Sequence, residues 1–247
     1  MKLFKNQYYF AAFLVFMSLA VYTVHYIIFR NARDLFYYLI FNVAFVFIQV
    51  LMVSLIIERV ISLHEKQAML NKMNMVIGTF FSEVGTGLIK LLIGFETGGH
   101  SLNPDLMVKN DWDDKKFDAC SKKAAANNAK LDSGKSDLAV LKEFLGNRRE
   151  FLLGLLGNQN LLEHETFTEL LWAVFHLTEE LGFRTDVTRL SHIDLGHLSG
   201  DMKRAYSGLL REWIAYMKHL KNAYPYLFSL AVRTNPFDAG ARVEIEG

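Results

Sequence analysis

Apolar and polar positions are distributed unevenly along the chain. No Asp, Glu, Lys or Arg occurs over residues 8–29 (YYFAAFLVFMSLAVYTVHYIIF) or 35–57 (LFYYLIFNVAFVFIQVLMVSLII). With a rise of about 1.5 Å per residue, either run is long enough as a helix to cross a hydrocarbon layer of about 30 Å. Within lipid every backbone N–H and C=O must be satisfied internally, and runs of this length do so as helices. The first run exceeds the roughly 7 to 15 apolar residues of a signal peptide and lacks a small-residue cleavage site, so it too reads as a span. Only residues 30–34 (RNARD) separate the two runs. A connection this short predicts an antiparallel transmembrane hairpin over residues 1–57.

Lys2 and Lys5 precede the first span and Arg59, Lys66 and Lys72 follow the second, against Arg30 and Arg33 between them. The positive-inside bias then places both termini in the cytoplasm of a multi-pass protein of the inner or plasma membrane.

Past residue 57 the period changes to that of amphipathic helices. Ile61, Met69, Met73, Val76, Phe80, Val84 and Leu88 follow spacings of three to four and their multiples, predicting a stalk helix over 58–95 with a break near Gly85. Paired glycines and Pro104 predict a loop over 96–110. Residues 111–247 read as a cytosolic helical bundle. Its expected elements are a solvated helix within 111–136, one amphipathic helix over 137–156, another over 164–182, and a long one over 198–223 that stops at Pro225. Strand patterns are nearly absent, so the fold class is all-α: a two-helix hairpin followed by a helical bundle.

Composition agrees with this division. The chain is 51% hydrophobic, with a mean hydropathy of +0.15. Its 27 basic and 26 acidic side chains nearly balance and form no basic block, which removes the source of attraction to nucleic acid. A lone cysteine, Cys120, excludes an internally disulfide-stapled domain.

Candidate chemistry is sparse. Asn42 and Gln49 lie seven residues apart, on one face of the second span, where amides favour interhelical hydrogen bonds and self-association. His25 and Glu83 are candidates for the membrane interface, Glu83 as a carboxylate beside the apolar run of Phe80, Phe81 and Val84. His176, Glu179, Glu180, His192, Asp194 and His197 include the residue types of a transition-metal site. On the helix over 164–182, however, His176 lies opposite the apolar stripe, an arrangement that favours solvated histidines, and no cofactor is expected. Asp194 reads as the N-cap of a helix starting near Leu195. No catalytic residues are assigned: there is no Gly-x-Ser-x-Gly elbow and no phosphate-binding loop.

These features predict a non-enzymatic integral membrane protein that self-associates in the bilayer and presents a helical scaffold or sensor module to a protein partner. One alternative is a subunit of a homo-oligomeric channel or transporter. A second is a membrane-bound metal-dependent enzyme using the His/Glu cluster. Replacing Asn42 and Gln49 together by leucine is expected to lower the oligomeric mass measured by light scattering in detergent; an unchanged mass would remove the amide seam from the account.

Overall fold

The computed structural model describes residues 2–97, 106–126, 129–158, 161, 164–238 and 240–244, with backbone alone at residues 2–8, 67, 68, 70 and 71. Most of the loop expected over 96–110 therefore lies outside the described residues. The described residues are helical apart from turns, connections and one isolated antiparallel bridge between Glu96 and Leu131. They form two compact units, residues 1–66 and 67–247.

The first unit holds α1 (Lys2–Phe29) and the start of α2 (Ala32–Phe80), with Arg30 and Asn31 as the connection. Arg30 takes the left-handed conformation, at φ 47°. Such a residue ends one helix and redirects the chain, at a cost of about 1–2 kcal/mol outside glycine. Asn31 then organises the start of α2: its Oδ1 accepts from the Arg33 N–H and its Nδ2 donates to Asp34. Asp34 in the first turn complements the positive end of the helix dipole.

Throughout residues 9–66 each side chain is exposed or half-buried. Three helical stretches among the described residues are long and apolar enough to cross a membrane: Tyr9–Phe29, Ala32–Lys66 and Lys72–Ile93. The first two windows are 0% buried, whereas the third is 44% buried within the protein. This contrast assigns the apolarity of the third stretch to a protein core, whereas among the described residues the first two windows are not buried.

The boundary between the units falls at Lys66 and Gln67, inside the stalk expected over 58–95. The later part of that stalk belongs to the core of the helical domain: Phe80, Val84, Leu88, Ile89 and Leu92 are all fully buried. The break expected near Gly85 is a π-helical turn, Phe81–Gly85. Its wider turn accompanies burial of the consecutive rings Phe80 and Phe81, which contact each other edge to face. Phe80 also meets Phe167 edge-on, and Phe81 stacks on Tyr216. A Cβ at Gly85 would lie 2.5 Å from Phe81 Cδ1 and 3.0 Å from Phe80 Cε1, so the turn closes only around a glycine.

After α3 (Thr86–Ile93), α4 (Asp114–Ala125) is capped by Asp113, whose side chain accepts from the Lys116 N–H. This helix is less solvated than expected, because Phe117, Cys120 and Ala124 turn one face into the core. The single helix expected over 137–156 is two: α5 (Leu138–Gly146), capped by Asp137, and α6 (Arg149–Leu156). Arg148 separates them. Its guanidinium donates from Nη1 to the Phe144 carbonyl and from Nε to the Glu83 carbonyl in the π-turn, at 3.1 and 2.6 Å. One side chain thus bonds a carbonyl that the end of α5 leaves open and a carbonyl of the π-turn.

The centre of the domain is the pair α7 (Glu165–Phe183) and α8 (His192–Ala223). Their apolar stripes, including Phe167, Leu170, Val174 and Leu177 on α7 and Met202, Leu209, Leu210 and Trp213 on α8, are at most 1% exposed. Residue 208 is glycine where α7 approaches closely, since a Cβ there would lie 3.1 Å from Leu170 Cδ1. Ser191, rather than Asp194, caps α8, its Oγ accepting from the Asp194 N–H, so the helix begins at His192 and not near Leu195. Pro225 opens α9 (Pro225–Arg233) at a position that has no use for an N–H.

Two glycine substitutions test this packing. In an open helix interior Gly→Ala gains up to about 1 kcal/mol. That gain is expected for Gly200→Ala, where nothing approaches within 4 Å, whereas Gly85→Ala is expected to destabilise the domain. Thermal unfolding in detergent reads both signs.

Candidate functional site

The faces of α7 and α8 next to their apolar stripes bring together four side chains separated by up to a turn on each helix. His176 and Glu180 are one turn apart on α7, and His197 and Asp201 one turn apart on α8. The buried α7–α8 seam sets their separation. His176 Nε2 lies 3.6 Å from Asp201 Oδ1, and His197 Nε2 lies 3.4 Å from Asp201 Oδ2. Glu180 reaches both imidazoles through different oxygens, at 3.8 Å from His176 Nε2 and 3.6 Å from His197 Nε2. One ligand atom each from His176, His197 and Asp201 can be chosen so that all lie within 4.8 Å of one another.

Burial distinguishes the members. The two imidazoles are about half exposed, but the Asp201 side chain is only 3% exposed. Asp201 Oδ1 accepts from Arg204 Nη1 at 3.2 Å, while the buried Oδ2 has no hydrogen-bond partner. Glu180 is held from the other side. Arg184 Nη1 donates to its Oε2 at 2.7 Å, which keeps the Glu180 carboxyl below its ordinary range, with smaller contributions from His176 and His197. His176 also lines a cavity of about 680 Å³ with Trp172, Arg204 and Arg211.

Two imidazoles and carboxylates within this space are donors suited to a divalent transition metal. Of the six residues that spacing alone selects, His176, Glu180 and His197 come together here. Glu179 is elsewhere, accepting from Arg149 Nε at 2.7 Å. Asp194 binds Arg184 through Nη2 and Nε, at 2.6 and 3.2 Å. His192 is exposed in the first turn of α8. Asp201 is the member that spacing misses, because the polar residues around it, Lys203 and Arg204, place it on a solvated face. The available signal is His197-x-x-x-Asp201, which aligns two ligand types one turn apart.

The other candidates occupy simpler settings. Asn42 and Gln49 are exposed among exposed apolar neighbours, and His25 is half-buried against the Phe29 ring. Glu83 is exposed instead of facing the core, at the rim of a second cavity of about 540 Å³ that Trp213, Tyr216 and His219 also line. Burial lowers the pKa of His219, whose Nδ1 accepts from Asn74.

Comparison with known proteins matches two family descriptions. Residues 69–233 match "Uncharacterized protein MJ1433, C-terminal helical domain", and residues 2–61 match "MJ1433, N-terminal helical domain". The uncharacterized protein MJ1433 of Methanocaldococcus jannaschii is 44% identical over 225 residues, covering 91% of this chain and 90% of that protein. No solved structure matches the chain.

The Arg184 pairs carry a pH prediction. Asp194 has its pKa lowered, first by the hydrogen bond from Arg184 and opposed by desolvation. A depressed folded-state pKa contributes stability above the unfolded value of about 3.9, and that contribution disappears as pH falls through the folded value. Arg184→Gln is expected to raise the Asp194 titration midpoint, followed by NMR of the carboxyl carbon, and to flatten the acid limb of the stability profile.

Proposed function

We propose that this chain, which belongs to the MJ1433 family, is an integral membrane protein whose two N-terminal helices anchor and self-associate in the bilayer while its helical domain serves as a cytoplasmic scaffold or sensor module. The observation that carries this reading is the contrast between the units: residues 9–29 and 35–57 expose long runs of large apolar side chains, and residues 67–247 have a core of their own. Leaving large apolar side chains in water costs about 1.5–3 kcal/mol each relative to burial, so the first unit needs lipid or further copies around it.

Asn42 and Gln49 support self-association in particular. Both amides lie on one face of α2, and pairing across helices in lipid contributes about 0.6–2 kcal/mol for each hydrogen bond. Their exposure is also the observation that favours the second reading, a homo-oligomeric channel with the amides facing the pore. Ion flux through vesicles containing the protein separates the two.

Anchoring is tested by washing membranes from expressing cells with alkaline carbonate. The protein is expected to stay in the pellet, and tags at either end are expected to be accessible only from the cytoplasmic face. Release into the wash would contradict insertion, and tags on opposite faces would contradict the paired spans.

A further inference from the structure

We propose that His176, His197 and Asp201 bind a divalent transition metal of the zinc and ferrous iron class, with Glu180 beside them as an additional carboxylate. The proposal is independent of membrane anchoring.

Spacing between donors is the first support. A tetrahedral ion with bonds of about 2.1 Å separates its ligand atoms by about 3.4 Å. The 3.4 Å from His197 Nε2 to Asp201 Oδ2 already matches that edge, and one ligand atom from each of the three residues lies within 4.8 Å of the others. Small side-chain rotations would therefore suffice to enclose an ion, with no movement of either helix.

A second, independent observation is the state of Asp201. Its carboxylate is almost wholly buried, yet Oδ2 has no hydrogen-bond partner and is the atom nearest His197 Nε2. A buried carboxylate oxygen that accepts no hydrogen bond is costly, and a cation shared by it and the two imidazoles removes that cost. Arg204 holds the other oxygen and so orients the carboxylate edge that remains.

The donor set also indicates the type of site. Two histidines and one carboxylate leave coordination positions open, unlike closed structural sites with four protein ligands. Glu180 can fill one of these, and its Arg184 partner then fixes which oxygen is free: Oε2 is engaged, leaving Oε1 toward His176. Because His176 lines the 680 Å³ cavity, a further ligand of the ion has space beside Arg204.

The test uses full-length, untagged protein in detergent, stripped with chelator and titrated calorimetrically with zinc chloride. Wild type is expected to bind one equivalent. Loss of a ligand should weaken binding by at least about tenfold, the smaller end of what even supporting residues contribute at metal sites. His197→Ala, at a half-exposed position, and Asp201→Asn should both show this loss, while His192→Ala, on the same helix outside the cluster, should bind as wild type does. Circular dichroism verifies folding of each variant, and if Asp201→Asn unfolds, His197→Ala decides. Absence of stoichiometric zinc binding by wild type, unchanged affinity in His197→Ala, or an equal loss in His192→Ala would overturn the proposal.

Discussion

The packing of α7 against α8 is the interaction on which the rest of the helical domain depends. Their stripes bury Phe167, Leu170, Val174 and Leu177 against Met202, Leu209 and Leu210. Each such side chain contributes about 1.5–3 kcal/mol relative to exposure. Gly208 lets the helices approach at Leu170, and the π-turn adds Phe80 and Phe81 from the N-terminal side. α4 joins through Phe117 and the ion pair from Lys218 to Asp118 at 2.8 Å, an exposed pair worth little energetically next to the buried ring.

The same seam fixes the polar cluster. Helices held in register by apolar contacts present neighbouring polar positions at constant separation, so His176 and Glu180 face His197 and Asp201 without a loop to position them. Sites on packed helices are held more tightly than sites on loops. Asp201 follows from the seam in another way: it lies close enough to the stripe to be buried, and the proposed metal would account for a carboxylate at that position. The two apolar helices of the first unit are governed by the opposite condition. No core formed by the described residues covers them, and under the proposed anchoring lipid is the missing environment.

Much of the fold was legible in the sequence because periodicity reports burial directly. The uncharged runs over 8–29 and 35–57 lie within α1 and α2, and the stripe through Phe167 and Leu170 and the stop before Pro225 match structural elements. What escaped depended on contacts between distant residues. Arg148 divides the helix expected over 137–156 by bonding to the Glu83 carbonyl, 65 positions away, and no local pattern records that. Gly85 marked a break, but the need for its missing Cβ arises only from the packed rings of Phe80 and Phe81. At the site, spacings of three and four from His176 on α7 made both Glu179 and Glu180 candidates; Arg149 takes the first and the helix pair brings the second to the imidazoles. Asp201 read as a surface acid because Lys203 and Arg204 beside it are charged, although its own side chain turns inward.

The central claim is that the α7–α8 seam constructs a metal centre from His176, His197 and Asp201. X-ray absorption at the zinc edge, recorded on full-length protein carrying one equivalent of zinc, tests it most directly. The account predicts a nitrogen and oxygen shell at about 2.0–2.1 Å with the outer scattering of two imidazole rings. A shell without imidazole scattering, or one containing the Cys120 sulfur, would contradict it.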